Sequence, residues 1–251
     1  MPDAPPFPGP GPVLVVSAHA ADFVWRAGGY IALAAQRGPG PQRGPGAHVV
    51  CLSYGERGES AALWKRGLSL DEVKAARRAE AEVAAKILGA SITFLDAGDY
   101  PLPRSAELLD RLVQEIRRLR PSVVLVHSAA DPYNADHPRA AELALEARIL
   151  AQAEGYDSDL PTIGAPPVFR FEPHQSEQCD FKPDVLVDIT PVFAVKRQAM
   201  ECMQAQEHLW EYYTDLGRRR GVQAVRNGGA SAIRYAEAYQ RVYPQVAEVL
   251  A

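Results

Sequence analysis

Residues 13–29 of the chain are VLVVSAHAADFVWRAGG, and they decide the fold. The apolar run predicts a strand over Val13–Ser17, and the periodic apolar positions after it predict a helix over Phe23–Gln36. A strand that is apolar at every position is buried on both faces, which is typical of a parallel sheet. His19 and Asp22 lie in the turn between strand and helix, where such sheets bind ligands.

The same alternation of strand and helix continues over the first 150 residues. Ser69 and Glu72 have the spacing of a capping box, and Gly89 is placed to end the helix that they begin. We therefore predict a Rossmann-like, doubly wound α/β fold, with a mostly parallel sheet and helices on both faces. The further strands are predicted at His48–Ser53, Ser91–Leu95 and Val123–His127, and the further helices at Ser69–Leu88, 108–119 and Pro138–Glu154.

The remainder of the chain has a less regular pattern. Strands are predicted at Val168–Phe171 and Asp184–Ile189, a helix from about Val192, and a last helix near Ala230–Leu250. The Pro-rich residues 1–12 predict a disordered tail, and 13–251 predict a single domain without a dividing linker. The Gly- and Pro-rich stretch Arg37–Gly46 predicts an exposed loop.

The composition excludes several classes of protein. The 251 residues carry a formal charge of −4, and the isoelectric point is near 5.9, which argues against binding nucleic acid through bulk positive charge. The longest apolar runs are too short to cross a bilayer, and the first twelve residues lack the features of a signal peptide. Three widely spaced cysteines argue against a disulfide scaffold, so we expect a cytoplasmic protein.

Titratable residues follow the carboxyl ends of several predicted strands, which is where an active site is expected. His19, Asp22 and His137 offer two imidazoles and one carboxylate from two loops, and such a set leaves an open position on Zn²⁺. Asp131 or Asp136 can orient a ligand histidine from behind. The alternative is that His19 is a buried histidine with all its hydrogen bonds made, and that Asp22 only caps the helix. The spacing leaves both interpretations open.

These loops resemble those of the LmbE/PIG-L family of zinc-dependent N-deacetylases, which have a Rossmann-like fold. The likeness is carried by Ala-His-x-x-Asp at 18–22, Gly-Glu-x-Gly at 55–58 and Asp-His before a helix at 136–137. It implies that His19, Asp22 and His137 are zinc ligands. The deacetylases have an aspartate as general base where this chain has Ala21, and a histidine that stabilises the oxyanion where this chain has Asn134.

Longer strings resemble the 4-oxalomesaconate hydratases, a variant within that family that acts in bacterial breakdown of gallate and protocatechuate. The resemblance implies a zinc-dependent hydro-lyase that adds water across a carbon–carbon double bond of an oxo-tricarboxylate. The strings are ADFVWRAGG at 21–29, VVCLSYGERGES at 49–60, DPYNADHP at 131–138, FEPHQ at 171–175 and QEHLWEYY at 206–213.

Hydration of a conjugated double bond needs a Lewis acid, a base for water and an acid for carbon. Glu59, or else Glu56, is a candidate base, and His174 is the candidate acid. The substrate's carboxylates call for cationic and hydrogen-bonding groups. The candidates are Arg57, Arg26, Tyr133 and Asn134.

Three hypotheses follow from the sequence. The first is a Zn²⁺-dependent hydratase acting on a small carboxylate, most of all 4-oxalomesaconate. The second is a zinc-dependent N-deacetylase of a sugar-like amide with its base moved elsewhere, for instance to Glu59. The third is a small-molecule binding protein without catalysis. Nucleic acid and membranes are not expected as partners, and a homo-oligomer is left as an option.

Overall fold

A seven-stranded sheet forms the centre of the protein, as seen in a computed structural model that describes residues 11–37 and 46–246. The strand order is β3-β2-β1-β4-β5-β7-β6. The first five strands in this order are parallel, and β7 runs antiparallel to both of its neighbours. In chain order the strands are β1 Val13–Ser17, β2 Ala47–Cys51, β3 Ala90–Phe94, β4 Val123–Val126, β5 Val168–Phe171, β6 Val185–Asp188 and β7 Ala236–Arg241.

Helices cover both faces of the sheet, and each face has its own apolar core. Along β1, Val13 and Val15 pack into the core under α1, α3 and α6, whereas Leu14 and Val16 pack into the core under α4 and α5. This alternation explains why β1 is apolar at every core position. The helices are α1 Asp22–Arg37, α2 Ala61–Lys65, α3 Leu70–Leu88, α4 Ala106–Leu119, α5 Asp136–Leu150, α6 Phe193–Glu201 and α7 Trp210–Arg226.

All predicted elements of the first 150 residues are present, with shifts of up to four residues at their ends, and α2 is a short helix that the sequence did not predict. The capping box of α3 is present, because the Ser69 side chain accepts from the Glu72 amide and the Glu72 side chain accepts from the Ser69 amide. Gly89 ends α3 in the left-handed conformation, at φ 73°. The predicted doubly wound, mostly parallel sheet is confirmed.

In the C-terminal region the predicted strands Val168–Phe171 and Asp184–Ile189 are present as β5 and β6, but the predicted last helix is wrong. The sequence predicts a last helix near Ala230–Leu250, but residues 236–241 form β7, which pairs with β5 and β6. The stretch AEAYQR is rich in residues that favour helices, and here pairing with two strands overrides that propensity. The helix predicted from about Val192 is present as two helices, α6 and α7, with residues 202–209 between them. Residues 247–250 of the predicted helix, and most of the predicted tail and 37–46 loop, lie outside the described residues.

The strand order determines where a ligand-binding crevice opens in this fold. β1 and β4 are neighbours, yet α1 after β1 and α5 after β4 cover opposite faces of the sheet. The loops that leave these two strands therefore diverge and open a crevice at the carboxyl edge. Within the described residues, no helix is both long and apolar enough to span a membrane.

A buried ionic network attaches β7 to α1. The Glu237 carboxylate accepts from the amides of Gly29 and Tyr30 at 2.7 and 2.8 Å, and from the Tyr239 hydroxyl at 2.7 Å. Lys196 on α6 donates to the same carboxylate at 2.6 Å, and both charged groups are buried. This network holds the antiparallel end of the sheet against the helix that begins at Asp22.

We predict that Lys196→Met lowers the free energy of unfolding by about 3 kcal/mol, because it leaves the buried Glu237 charge without a counter-ion. Urea denaturation measures the change. Lys86→Met, at an exposed position of α3, is the matched control and should change stability by less than about 0.5 kcal/mol. Equal losses in the two variants would show that the network does not stabilise the fold.

Candidate metal centre

Four side chains from three loops converge at the crevice between β1 and β4. His19 and Asp22 come from the β1–α1 turn, Glu59 from the loop after β2, and His137 from the first turn of α5. One donor atom from each residue lies within 4.8 Å of the donor atoms of the other three. The structure thus brings together the three predicted ligands and one of the two predicted bases.

The separations between donor atoms fit a tetrahedral ion. His19 Nδ1 lies 3.3 Å from Asp22 Oδ2 and 3.2 Å from Glu59 Oε1, and His137 Nε2 lies 3.4 Å from Asp22 Oδ1. Two donors that are each about 2.0–2.1 Å from a tetrahedral Zn²⁺ lie roughly 3.3 Å apart. The residues present therefore fit a divalent metal ion.

The hydrogen bonding of the histidines supports the same fit. Both ring nitrogens of His19 and Nε2 of His137 are buried and have no hydrogen-bond partner among the described residues. Leaving a buried polar atom unpaired is costly, so His19 Nδ1 and His137 Nε2, the two nitrogens that face the cluster, call for a ligand. The interpretation of His19 as a buried histidine with all its bonds made does not hold. Asp22 accepts the His19 amide at 2.9 Å, which fixes the turn.

Two further carboxylates orient the ligand histidines. Asp131 Oδ2 lies 2.7 Å from His137 Nδ1, and Asp136 Oδ2 lies 3.5 Å from His19 Nε2. These contacts leave the opposite nitrogen of each ring facing the centre. The sequence offered Asp131 and Asp136 as alternatives, and in the structure each stands behind a different histidine.

The electrostatics show a site that calls for positive charge. Burial opposes protonation of His137, but the carboxylates of Asp22 and Asp131 outweigh it and raise the pKa of His137 to about 9. Burial likewise opposes protonation of His19, and Glu59, Asp136 and Asp22 raise its pKa well above the ordinary value. The carboxylates therefore favour a cation at the centre, which a divalent metal ion supplies.

A third histidine, His127, lies behind the cluster and was not among the predicted site residues. Its Nε2 accepts the Ala18 amide at 2.9 Å, and its ring stacks on His137 with centroids 4.3 Å apart. Burial, together with the nearby charges of His137 and Arg26, lowers its pKa well below the ordinary value, so the ring is neutral. Its position as the last residue of the predicted fourth strand was the available signal.

The cluster lies at the floor of a cavity of about 510 Å³. Arg26 is buried and makes one guanidinium hydrogen bond to the described residues, from Nη1 to the Glu172 carbonyl at 3.3 Å. Asn134 donates from Nδ2 to Glu59 Oε1 at 3.4 Å. The predicted residues that line the cavity are Asp22, Arg26, Glu59, Tyr133, Asn134, His137 and His174.

Glu56 and Arg57 do not line this cavity. Glu56 is fully buried, and its Oε2 accepts the Tyr54 amide at 3.1 Å within its own loop. The Arg57 side chain lies 3.5 Å from Glu56 and donates to the Asp99 carbonyl at 3.4 Å. The sequence could not decide which of the two glutamates is the better candidate base. In the structure only Glu59 lines the cavity.

His174 reaches the cavity from the loop after β5. Its Nδ1 lies 3.4 Å from the Tyr213 hydroxyl, and its carbonyl accepts the Tyr212 hydroxyl. Burial and the positive charge of Arg26 lower the pKa of His174. Both tyrosines belong to α7, and neither was among the predicted site residues.

The chain matches one family model and is similar to known enzymes. The family model PIG-L, GlcNAc-PI de-N-acetylase, matches residues 14–148. A 4-oxalmesaconate hydratase of Pseudomonas putida is 57% identical over 242 residues, 95% of this chain and 92% of the relative. A diacetylchitobiose deacetylase of Thermococcus kodakarensis is 34% identical over 65% of this chain and 61% of the relative.

A solved structure agrees with these matches. The crystal structure of GalB, the 4-carboxy-2-hydroxymuconate hydratase from Pseudomonas putida KT2440, superposes with a TM-score of 0.91 at 56% identity. The superposition covers 96% of this chain and 100% of that chain. The described architecture is therefore shared over nearly the whole length.

We predict that Asp131→Asn weakens Zn²⁺ binding by roughly 10- to 100-fold, because His137 loses the carboxylate that orients its ring. The asparagine retains an oxygen for the amides of Tyr133 and Asn134, which Asp131 Oδ1 accepts at 3.0 and 3.2 Å. Competition with a chromophoric chelator measures the affinity. Asp157→Asn, at an exposed loop position, should leave it unchanged. Equal affinities in both variants would contradict the orienting role.

Proposed function

The chain belongs to the PIG-L family, and from this premise we propose that it is a metal-dependent hydratase that adds water across a carbon–carbon double bond of an oxo-tricarboxylate, 4-oxalomesaconate above all. The observation that carries the proposal is the 57% identity to a 4-oxalmesaconate hydratase over 95% of the chain. The substrate is accordingly a small carboxylate in the crevice between β1 and β4.

The second candidate function is N-deacetylation of a sugar-like amide, which the 34% identical deacetylase favours. At the position of the deacetylase base this chain has Ala21, which is fully buried and cannot accept a proton. Asn134 stands at the position of the deacetylase histidine and is bonded to Glu59. Loss of a general base typically costs 10²–10⁴-fold in rate, so these residues support hydration over amide hydrolysis.

We propose Zn²⁺ as the metal, held by His19, Asp22 and His137. Two imidazoles and one carboxylate are a donor set typical of catalytic zinc sites, in which a further position stays open. When bound, the ion would act as a Lewis acid toward a substrate oxygen and make a coordinated water more acidic. Asp131 and Asp136 keep the two imidazoles aimed at the centre.

Glu59 is the proposed general base. Burial raises its pKa, but the charge of His19 and the hydrogen bonds of His137 and His19 outweigh burial and lower it, so the carboxylate is ionised at neutral pH. Asn134 Nδ2 holds Oε1 at 3.4 Å and so fixes the direction of the carboxylate. In this position Glu59 can accept a proton from a water molecule at the metal centre.

His174 is the proposed acid that protonates the substrate carbon. It lines the same cavity, and the Tyr213 hydroxyl lies 3.4 Å from Nδ1. A lowered pKa makes its imidazolium form a stronger acid, although a smaller fraction is protonated at pH 7. Base and acid then come from different loops, after β2 and β5, and both face the cavity in which water and a proton would add to adjacent carbons.

Arg26 is the proposed binding residue for one substrate carboxylate. Its Nε lies 3.3 Å from Asp22 Oδ1, so the guanidinium is fixed beside the metal centre. Among the described residues, only the Glu172 carbonyl accepts a hydrogen bond from the Arg26 guanidinium, through Nη1. The other N–H groups of the guanidinium are left to bind an anion. A planar guanidinium matches a carboxylate with two parallel hydrogen bonds. The exposed Tyr133 at the cavity wall is a further candidate donor.

We expect Glu59→Gln to lower kcat for hydration by roughly 10²-fold or more while zinc stays bound, because the amide cannot take the proton. Glu56→Gln is the matched control: it keeps the bond to the Tyr54 amide, lies outside the cavity and should retain turnover within about threefold. Kinetics and elemental analysis are measured on both variants. A larger loss in Glu56→Gln would reassign the base.

His174→Ala should lower kcat at least tenfold with zinc content unchanged, because the substrate carbon loses its proton donor. The same assay measures it, with His208→Ala as the control at the exposed rim of the cavity. Turnover equal to that of the parent protein would remove His174 from the mechanism.

The function itself is tested by offering the oxo-tricarboxylate and an N-acetyl sugar side by side. We expect loss of the conjugated chromophore without acetate release. Acetate release without hydration would establish the deacetylase instead. Absence of both reactions in protein that has no stoichiometric metal would favour a binding protein without catalysis.

A further inference from the structure

Tyr100 lies in the loop between β3 and α4, which none of the predicted site residues occupies. Its backbone has φ 46°, a left-handed conformation that is uncommon for an aromatic residue. The Tyr100 amide donates at 2.8 Å to Asp136 Oδ2, the same oxygen that faces His19. The strained conformation is therefore maintained by a carboxylate that also orients the metal centre, and such strain concentrates at functional sites.

The ring of Tyr100 has a fixed place in the cavity wall. It packs on Gly58 so closely that a Cβ at this glycine would come within 2.0 Å of the ring. Its centroid lies 6.1 Å from that of the His19 ring. Tyr100 lines the cavity and is 46% exposed, so the ring is held on one side and open to a ligand on the other.

The hydroxyl of Tyr100 is available as a donor. It has no hydrogen-bond partner among the described residues. Burial, followed by the charge of Glu59, raises its pKa, so the phenol stays protonated. A lysine here would pair with Glu59 or Asp136 and compete with the metal, whereas a neutral phenol donates to an anion without adding charge.

We propose that the Tyr100 hydroxyl donates a hydrogen bond to a carboxylate of the bound tricarboxylate and so positions the substrate over the metal centre. The identity of the anion rests on the proposed function. Arg26 and Tyr100 then hold the substrate from α1 and from the β3–α4 loop. Tyr100 thus acts in substrate binding, because Glu59 remains the proposed base and His174 the proposed acid.

The test compares Tyr100→Phe with Tyr156→Phe, which removes a hydroxyl bonded to Asp110 on another part of the surface. KM and kcat are measured with the oxo-tricarboxylate, and calorimetry measures the Kd of unreactive propane-1,2,3-tricarboxylate. We expect Tyr100→Phe to raise both KM and Kd roughly tenfold, with kcat within threefold and zinc content unchanged. Tyr156→Phe should match the parent protein.

A second variant checks the geometry. Gly58→Ala displaces the Tyr100 ring, so it should raise the Kd of the tricarboxylate in the parent protein but add less than twofold in Tyr100→Phe. KM and Kd within twofold of the parent in Tyr100→Phe, or an equal effect of Gly58→Ala in both backgrounds, would overturn the proposal.

The proposed hydratase function and the proposed role of Tyr100 can be tested independently of each other. If the parent protein binds propane-1,2,3-tricarboxylate but does not hydrate the oxo-tricarboxylate, the proposed function is wrong, while the Kd comparison still decides the role of Tyr100. If the parent protein hydrates the oxo-tricarboxylate but Tyr100→Phe leaves KM and Kd unchanged, only the proposed role of Tyr100 is wrong.

Discussion

Burial of carboxylates around two imidazoles is the constraint on which the site depends. Asp22, Glu59, Asp131 and Asp136 all lie within 4 Å of a ring nitrogen of His19 or His137. Removing so much negative charge from water is costly unless a cation compensates it. The loops after β1, β2 and β4 therefore bring together a set of donor atoms that favours a divalent cation, and the cavity opens beside it.

We propose that the family fold serves a different reaction here through the placement of one carboxylate. In the β1–α1 turn the side chain at the deacetylase base position is the methyl of Ala21, and besides the proposed ligand Asp22 the cluster contains the carboxylate of Glu59 from the loop after β2. As the proposed base, Glu59 lies on a different loop from the deacetylase base, and His174, the proposed acid, lines the same cavity. Ligand binding and proton transfer can thus change independently on one fold.

The parts of the structure that local patterns determine could be predicted from the sequence. The apolar run of β1, the capping box of Ser69 and the His19–Asp22 spacing each depend on a few adjacent residues. β7 could not be predicted, because strands that are distant in sequence impose it on helix-favouring residues. Glu56 and Glu59 could not be ordered, since a loop with Gly55 at φ 70° directs one inward and leaves the other in its own turn.

The most direct measurement is anomalous diffraction from crystals of the zinc-saturated protein, with data collected on both sides of the zinc absorption edge. We predict one strong peak about 2.0–2.2 Å from His19 Nδ1, an Asp22 carboxylate oxygen and His137 Nε2, which vanishes below the edge. Absence of a peak at this place, with the four side chains in the positions described, would contradict the account.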